Sequence, residues 1–91
     1  MTGMLSTAQD PALNGAQTEL TRDNIPGAME SYGKLIKKGK LLDEIIFDLR
    51  EAIYRYPVEV TILQTLGDAY MRANRLQDAL DAYTKAEELL R

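Results

Sequence analysis

Three carboxylate pairs, Asp43/Glu44, Asp78/Asp81 and Glu87/Glu88, are the side chains of this sequence whose type and spacing could do chemistry. Two carboxyls catalyse hydrolysis when they are held across a pocket, and they ligate calcium when a glycine-containing loop gathers them. None of the three pairs has such a setting. Each lies in a stretch of helical periodicity, side by side along a wet face, with no phosphate-loop or calcium-loop pattern around it. The usual helpers are missing as well, since the 91 residues include no His and no Cys. Without His the chain lacks the commonest general base at neutral pH, and Ser–His and Cys–His nucleophiles cannot be assembled. Disulfides and cysteine-ligated zinc are excluded. The expectation is a protein that is not an enzyme and takes no cofactor and no metal.

The charges point the same way. The net charge is −3 at pH 7, unevenly spread. Lys34, Lys37, Lys38 and Lys40 outweigh Glu30 over residues 26–40, while Asp43, Glu44, Asp48, Glu51 and Glu59 outweigh Arg50 and Arg55 over residues 41–59. Opposed patches of this kind can steer a charged partner. They are no substitute for the sustained basic surface that nucleic acid requires, so no nucleic-acid binding is expected. No apolar run approaches the ~20 residues that span a bilayer, and the first twenty residues lack a signal-peptide core. No membrane insertion and a cytoplasmic location are therefore expected.

The elements that would position these side chains are helical. Apolar residues make up 45% of the chain, and Leu, Ile, Ala, Met and Tyr rather than β-branched runs supply them. Residues 1–23 show no sustained apolar period and read as a flexible or weakly structured segment, with Ala12, Ala16 and Leu20 able to share one face of a short helix. From residue 24 to 91 four helical segments follow. The first runs from about Pro26 to Lys38, capped by Asn24, with Met29, Tyr32, Leu35 and Ile36 on its apolar stripe and Gly39 ending it. The second runs from about Leu41 to Tyr56, with Leu42, Ile45, Ile46, Leu49, Ala52, Ile53 and Tyr56 inward and Pro57 stopping it. The third covers about Val60–Arg72, with Ile62, Leu63, Leu66, Ala69 and Tyr70 inward. The fourth covers about Leu76–Leu90, with Leu76, Ala79, Leu80, Tyr83, Ala86 and Leu90 inward. Glu51/Arg55 and Asp81/Lys85 stand four residues apart and are placed to pair. Phe47 and Tyr54 lie off the main stripe of their helix. Tyr54 is the best candidate for an exposed aromatic, and Phe47 for a covered or contacting one.

The sequence repeats itself. A shift of 34 residues carries Gly33 to Gly67, Ala52 to Ala86, Tyr32 to Leu66, Ile36 to Tyr70 and Leu49 to Tyr83. A second shift, of 51, carries Ala28, Tyr32 and Lys34 to Ala79, Tyr83 and Lys85. The two shifts imply the same helices and different packing. The tract Leu63–Arg91, with Leu63, Leu66-Gly67, Tyr70, Ala79, Tyr83 and Ala86, resembles a tetratricopeptide repeat, whose period is 34. Residues 26–57 resemble the same family in a divergent form. The resemblance implies an all-α, tetratricopeptide-like stack of antiparallel helical hairpins with about four helices.

It also implies a function. Members of that family hold a peptide on the face built from the first helix of each pair. Carried over, that face presents Glu30, Lys34, Lys37 and Lys38 from one pair and Gln64, Asp68, Met71 and Arg72 from the next. All eight lie off the apolar stripes of their helices, so they are free to bind. Glu30 and Gln64 stand where carboxylate-clamping members would have lysine, and Lys34 and Asp68 where they would have asparagine, which disfavours a carboxylate-clamped chaperone tail. The expected function is a non-catalytic protein–protein interaction or scaffold module, part of a longer protein, with a protein or peptide partner. The alternative is a structural or self-association domain. Repeat arrays bury each repeat against the next, and one preceding helix pair cannot cover Leu76, Leu80 and Leu90 together, so these three are the candidates for homodimer contact.

Overall fold

A computed structural model of the protein describes residues 10–91. Among these, every regular element is a helix: α1 (Pro11–Thr21), α2 (Ile25–Lys37), α3 (Leu42–Arg55), α4 (Val60–Arg72) and α5 (Leu76–Leu90). The count is five rather than about four. The additional helix, α1, falls in the stretch that its sparse apolar pattern marks as weakly structured; residues 1–9 lie outside the described residues. A strong local start compensates for that sparse pattern. The Asp10 carboxylate accepts hydrogen bonds from the amides of Ala12 and Leu13 at 3.0 and 3.1 Å, and Pro11 occupies the first turn, where no N–H is needed. Leu13 and Ala16 are then fully buried against the rest of the core. Burying a leucine contributes about 1.5–3 kcal/mol, enough to hold a short helix in place.

The other helices begin and end where their residues dictate. Asn24 caps α2 by accepting from the Gly27 amide at 3.2 Å. Gly39, at φ +68°, ends it in the left-handed conformation, and the Lys40 amide reaches back to the Leu35 carbonyl at 3.0 Å. Leu41 follows at φ +58° without a side-chain cap of its own. A left-handed leucine costs roughly 1–2 kcal/mol, offset here because its side chain packs against the core. The expected Glu51–Arg55 pair is not made. Arg55 instead pairs with Asp23 at 3.5 Å, and the Tyr56 hydroxyl donates to the same carboxylate, fastening the α1–α2 turn to the end of α3. Asp81 likewise accepts from Gln77 rather than pairing with Lys85.

α1 with α2 and α4 with α5 form two closely packed hairpins, whereas α2 and α3, though joined by a short turn, touch little. α4 is central and packs against α2, α3 and α5. The packing thus follows the shift of 51 rather than 34. Asp23 and its counterpart Asn74 both adopt left-handed φ, at 64° and 63°. The flanking bonds also repeat: Asn24 N–H to Glu19 C=O matches Arg75 N–H to Tyr70 C=O, and Ala28 to Asn24 matches Ala79 to Arg75. Gly33 and Gly67, equated by the shift of 34, sit in unlike places. A methyl on Gly67 would come within 3.0 Å of three ring atoms of Tyr83, while a methyl on Gly33 would meet nothing within 4 Å.

The inward face of α5 differs from its expected one. Ala79, Ala82 and Ala86 are buried against α4 and Tyr83 is half-buried, whereas Leu76, Leu80 and Leu90, expected inward, are exposed. Three alanines let α5 approach the Gly67 face of α4 closely, and among the described residues no helix lies beyond the leucines flanking that line. The two glycines therefore give opposite predictions. Gly67→Ala is expected to lower the urea midpoint, since overpacking costs about 1–3 kcal/mol against the roughly 1 kcal/mol that helix propensity returns. Gly33→Ala is expected to raise it, with a gain in stability of up to about 1 kcal/mol. Equal stabilisation in both variants would show that the Tyr83 ring moves aside freely.

Candidate functional site

The eight residues expected to face a partner are all exposed. Glu30, Lys34, Lys37 and Lys38 lie on α2 or its C-terminal cap, and Gln64, Asp68, Met71 and Arg72 on the outer face of α4. Arg72 reaches across to the other group: its guanidinium covers the Gly39 turn, with Nη2 2.8 Å from where a Gly39 Cβ would stand. Lys37, Lys38 and Arg72 therefore share one end of the molecule, where the C-termini of α2 and α4 favour positive charge. Glu30 stands two helical turns back and is not part of that end. Asp68 is engaged with α5 instead, accepting a hydrogen bond from the Tyr83 hydroxyl.

A second place, not assembled by the sequence reading, is a groove of about 400 Å³ between α3 and α5. Ile53, Leu63, Leu66, Tyr70 and Ala82 supply its apolar surface, and Arg50, Tyr54, Arg75, Asp78, Asp81 and Lys85 its polar one. Arg75 is held firmly. Its guanidinium stacks over the Tyr70 ring at 4.9 Å from the centroid and pairs with Asp78 at 2.8 and 2.9 Å. Tyr54 is 82% exposed at the rim, as its off-stripe position implies. Phe47, seven residues earlier on the same face of α3, is also exposed, and lines a smaller groove toward α1 with Leu20 and Tyr56. The signal for this region was present in Phe47, Arg50 and Tyr54, three side chains at helical spacing outside the apolar stripe. Nothing in the sequence tells that α5 lies across from them.

Three of the carboxylates have partners within the fold. Asp48 accepts from both the Gln17 amide, at 2.8 Å, and the Tyr32 hydroxyl, at 2.9 Å, linking α1, α2 and α3. Asp78 serves Arg75, and Asp81 serves Gln77. Among the described residues no cluster of three His, Cys, Asp or Glu side chains could hold a metal ion. Nor is any helix among them long and apolar enough to cross a membrane.

Comparison of the chain with protein-family models, with curated proteins and with solved structures found no match.

Two tyrosines carry a measurable signature of this packing. Burial raises the Tyr83 hydroxyl first, and the hydrogen bond and negative charge of Asp68 add to it, so that it is pushed up to about 12. Tyr32 is raised further by burial and by the charge and hydrogen bond of Asp48. In the unfolded chain both ionise near 10. Their contribution to stability is therefore complete below about pH 10 and is lost as pH rises toward the folded value, because only the unfolded state releases the proton. Urea midpoints are expected to fall between about pH 10 and 12, and to fall less steeply in Tyr83→Phe. Parallel slopes for parent and variant would show that Tyr83 ionises freely in the fold.

Proposed function

We propose that the chain is a non-catalytic protein–protein interaction module whose α4/α5 hairpin is tetratricopeptide-like. The observation that carries this reading is the open groove between α3 and α5. It has an apolar floor, both signs of charge at its rim, and the exposed ring of Tyr54 beside it. Such a surface suits a polypeptide with an apolar stripe bordered by charges; exposed tyrosine and arginine are the side chains that most often anchor such contacts. The likeness of α4/α5 to the repeat family rests on Leu66, Gly67, Tyr70, Ala79, Tyr83 and Ala86, and on the close fit of Tyr83 to Gly67. Lys34, Lys37, Lys38 and Arg72 form a basic edge that steers an acidic partner toward the module. A second reading, a structural domain that self-associates, is favoured by the exposure of Leu76, Leu80 and Leu90.

Affinity capture from the source organism, with the chain as bait, separates the two. The double variant Arg50→Glu/Tyr54→Ser is expected to lose the captured proteins. Its helicity should match the parent's and its stability in urea stay within about 0.5 kcal/mol of it, since both positions are exposed. Lys37→Glu/Lys38→Glu is expected to capture the same proteins more slowly. The same proteins retained at the same rate by every variant would count against both surfaces. No capture by the parent, with sedimentation showing a dimer that Leu90→Glu dissolves, would leave the self-association reading.

A further inference from the structure

The two hairpins that the shift of 51 relates are covered differently, and the difference identifies what the second one lacks. On α2, Ile25, Met29, Tyr32 and Ile36 are all buried. α4 packs on α2, and Tyr32, one of the four, donates a hydrogen bond to Asp48 of α3. Their counterparts on α5 are Leu76, Leu80, Tyr83 and Glu87. Leu76 and Leu80 are 57% and 56% exposed, Glu87 is exposed and Tyr83 is half-buried. The spacing of the two flanks is the same, four, three and four residues, and the hairpins that present them have matching turns. One flank carries a helix. The other has none among the described residues.

The counterparts also differ in charge, which tells the kind of helix that would fit. Gln17, which donates to Asp48, becomes Asp68, whose carboxylate accepts from Tyr83 and has acceptor sites left over. Ile36 becomes Glu87. A helix covering this flank meets two carboxylates where the α1/α2 hairpin presents a side-chain amide, bonded to Asp48 of α3, and a buried isoleucine. Glu88 and the negative pole at the C-terminus of α5 add to the same field, and Arg91, beyond the last turn, lies at its far end.

We propose that the flank of α5 formed by Leu76, Leu80 and Tyr83 binds a basic amphipathic helix of a separate protein, laid along α5 as α4 is laid along α2. Its apolar stripe covers the two leucines and the edge of the tyrosine ring. Lysine or arginine beside that stripe pairs with Asp68 and Glu87. This face is distinct from the α3/α5 groove, and the proposal stands whether or not that groove binds a partner.

The test titrates the full chain with two synthetic peptides and follows its backbone amides by NMR. The basic peptide is the α4 sequence, Val60–Arg72, carrying Thr61→Lys and Thr65→Lys; the acidic peptide carries Thr61→Glu and Thr65→Glu. The basic peptide is expected to move the amides of Asp68, Leu76, Leu80, Tyr83 and Glu87 and to bind about tenfold more tightly than the acidic one, a difference of about 1.4 kcal/mol. Leu80→Glu, at an exposed position, is expected to abolish this binding while circular dichroism remains that of the parent. Tyr54→Ser is expected to leave it unchanged, so a failure of the groove reading is told apart from a failure of this one. Equal affinity for the two peptides would overturn the proposal, as would no shift at about 1 mM basic peptide. Shifts spread through α2, reporting displacement of the chain's own α4, would also overturn it. Concentration-dependent shifts of the same amides without peptide, lost in Leu80→Glu, would assign the face to a second copy of the chain instead.

Discussion

The position of α4, packed against three other helices, is the constraint on which the rest of this molecule depends. Its sequence permits that crowding because its inward residues are graded in size. Ile62, Leu63, Leu66 and Tyr70 fill space, Ala69 leaves room, and Gly67 leaves the most. Without a side chain at Gly67, the ring of Tyr83 can lie against the backbone, and its hydroxyl reaches Asp68 one residue further along. The alanine line of α5 completes the match, since Ala79, Ala82 and Ala86 have nothing to hold them off. A glycine inside a helix costs about 1 kcal/mol. Here it is offset by a contact that no larger residue could make.

The first hairpin solves the same problem with different residues. Ala16 stands where Gly67 stands in the second, and Tyr32 where Tyr83 does. Tyr32 is fully buried and bonds across to Asp48 on α3, so that a single carboxylate joins three helices. Tyr83 finds its acceptor within its own hairpin and stays half-buried. The two tyrosines thus record how far each hairpin is embedded. The same difference governs what is left for partners: α2 has spent its outer flank on the core, and α5 has kept its leucines on the surface.

Much of the architecture was legible along the chain. Asn24, Gly39, Pro57 and Asn74 punctuate it, and the helices they bound differ by no more than about one residue from the limits set by periodicity. The inward faces of α2, α3 and α4 were legible for the same reason, because a wide apolar stripe has one way to turn. α1 was harder, since Leu13 and Ala16 are its only buried residues and Gly15 interrupts it. Its signal lay in the cap, Asp10 followed by Pro11, rather than in the stripe. The exposure of the candidate partner-facing residues could be foreseen position by position. Their grouping could not, because the approach of Arg72 to the Gly39 turn and of Tyr83 to Asp68 joins residues that are distant in sequence.

The sequence by itself determined an all-helical chain, because a period near 3.6 and local caps act over a few residues and need no distant partner. It also determined which chemistries are closed, because a chain without His or Cys cannot build the sites that require them. It left two registers open, since shifts of 34 and 51 predict the same helices. Only the tertiary structure decided between them, by pairing α1 with α2 and leaving α2 and α3 nearly apart. It alone decided that α5 turns alanines rather than leucines toward α4. The physical reason is one: periodicity says which faces are apolar, but when two faces of a helix are both apolar, the choice of which to bury rests on close fit to a neighbour. At α5 that neighbour is the Gly67 face of α4, where the Tyr83 ring lies against the glycine and the buried Ala79, Ala82 and Ala86 leave room where leucines would not.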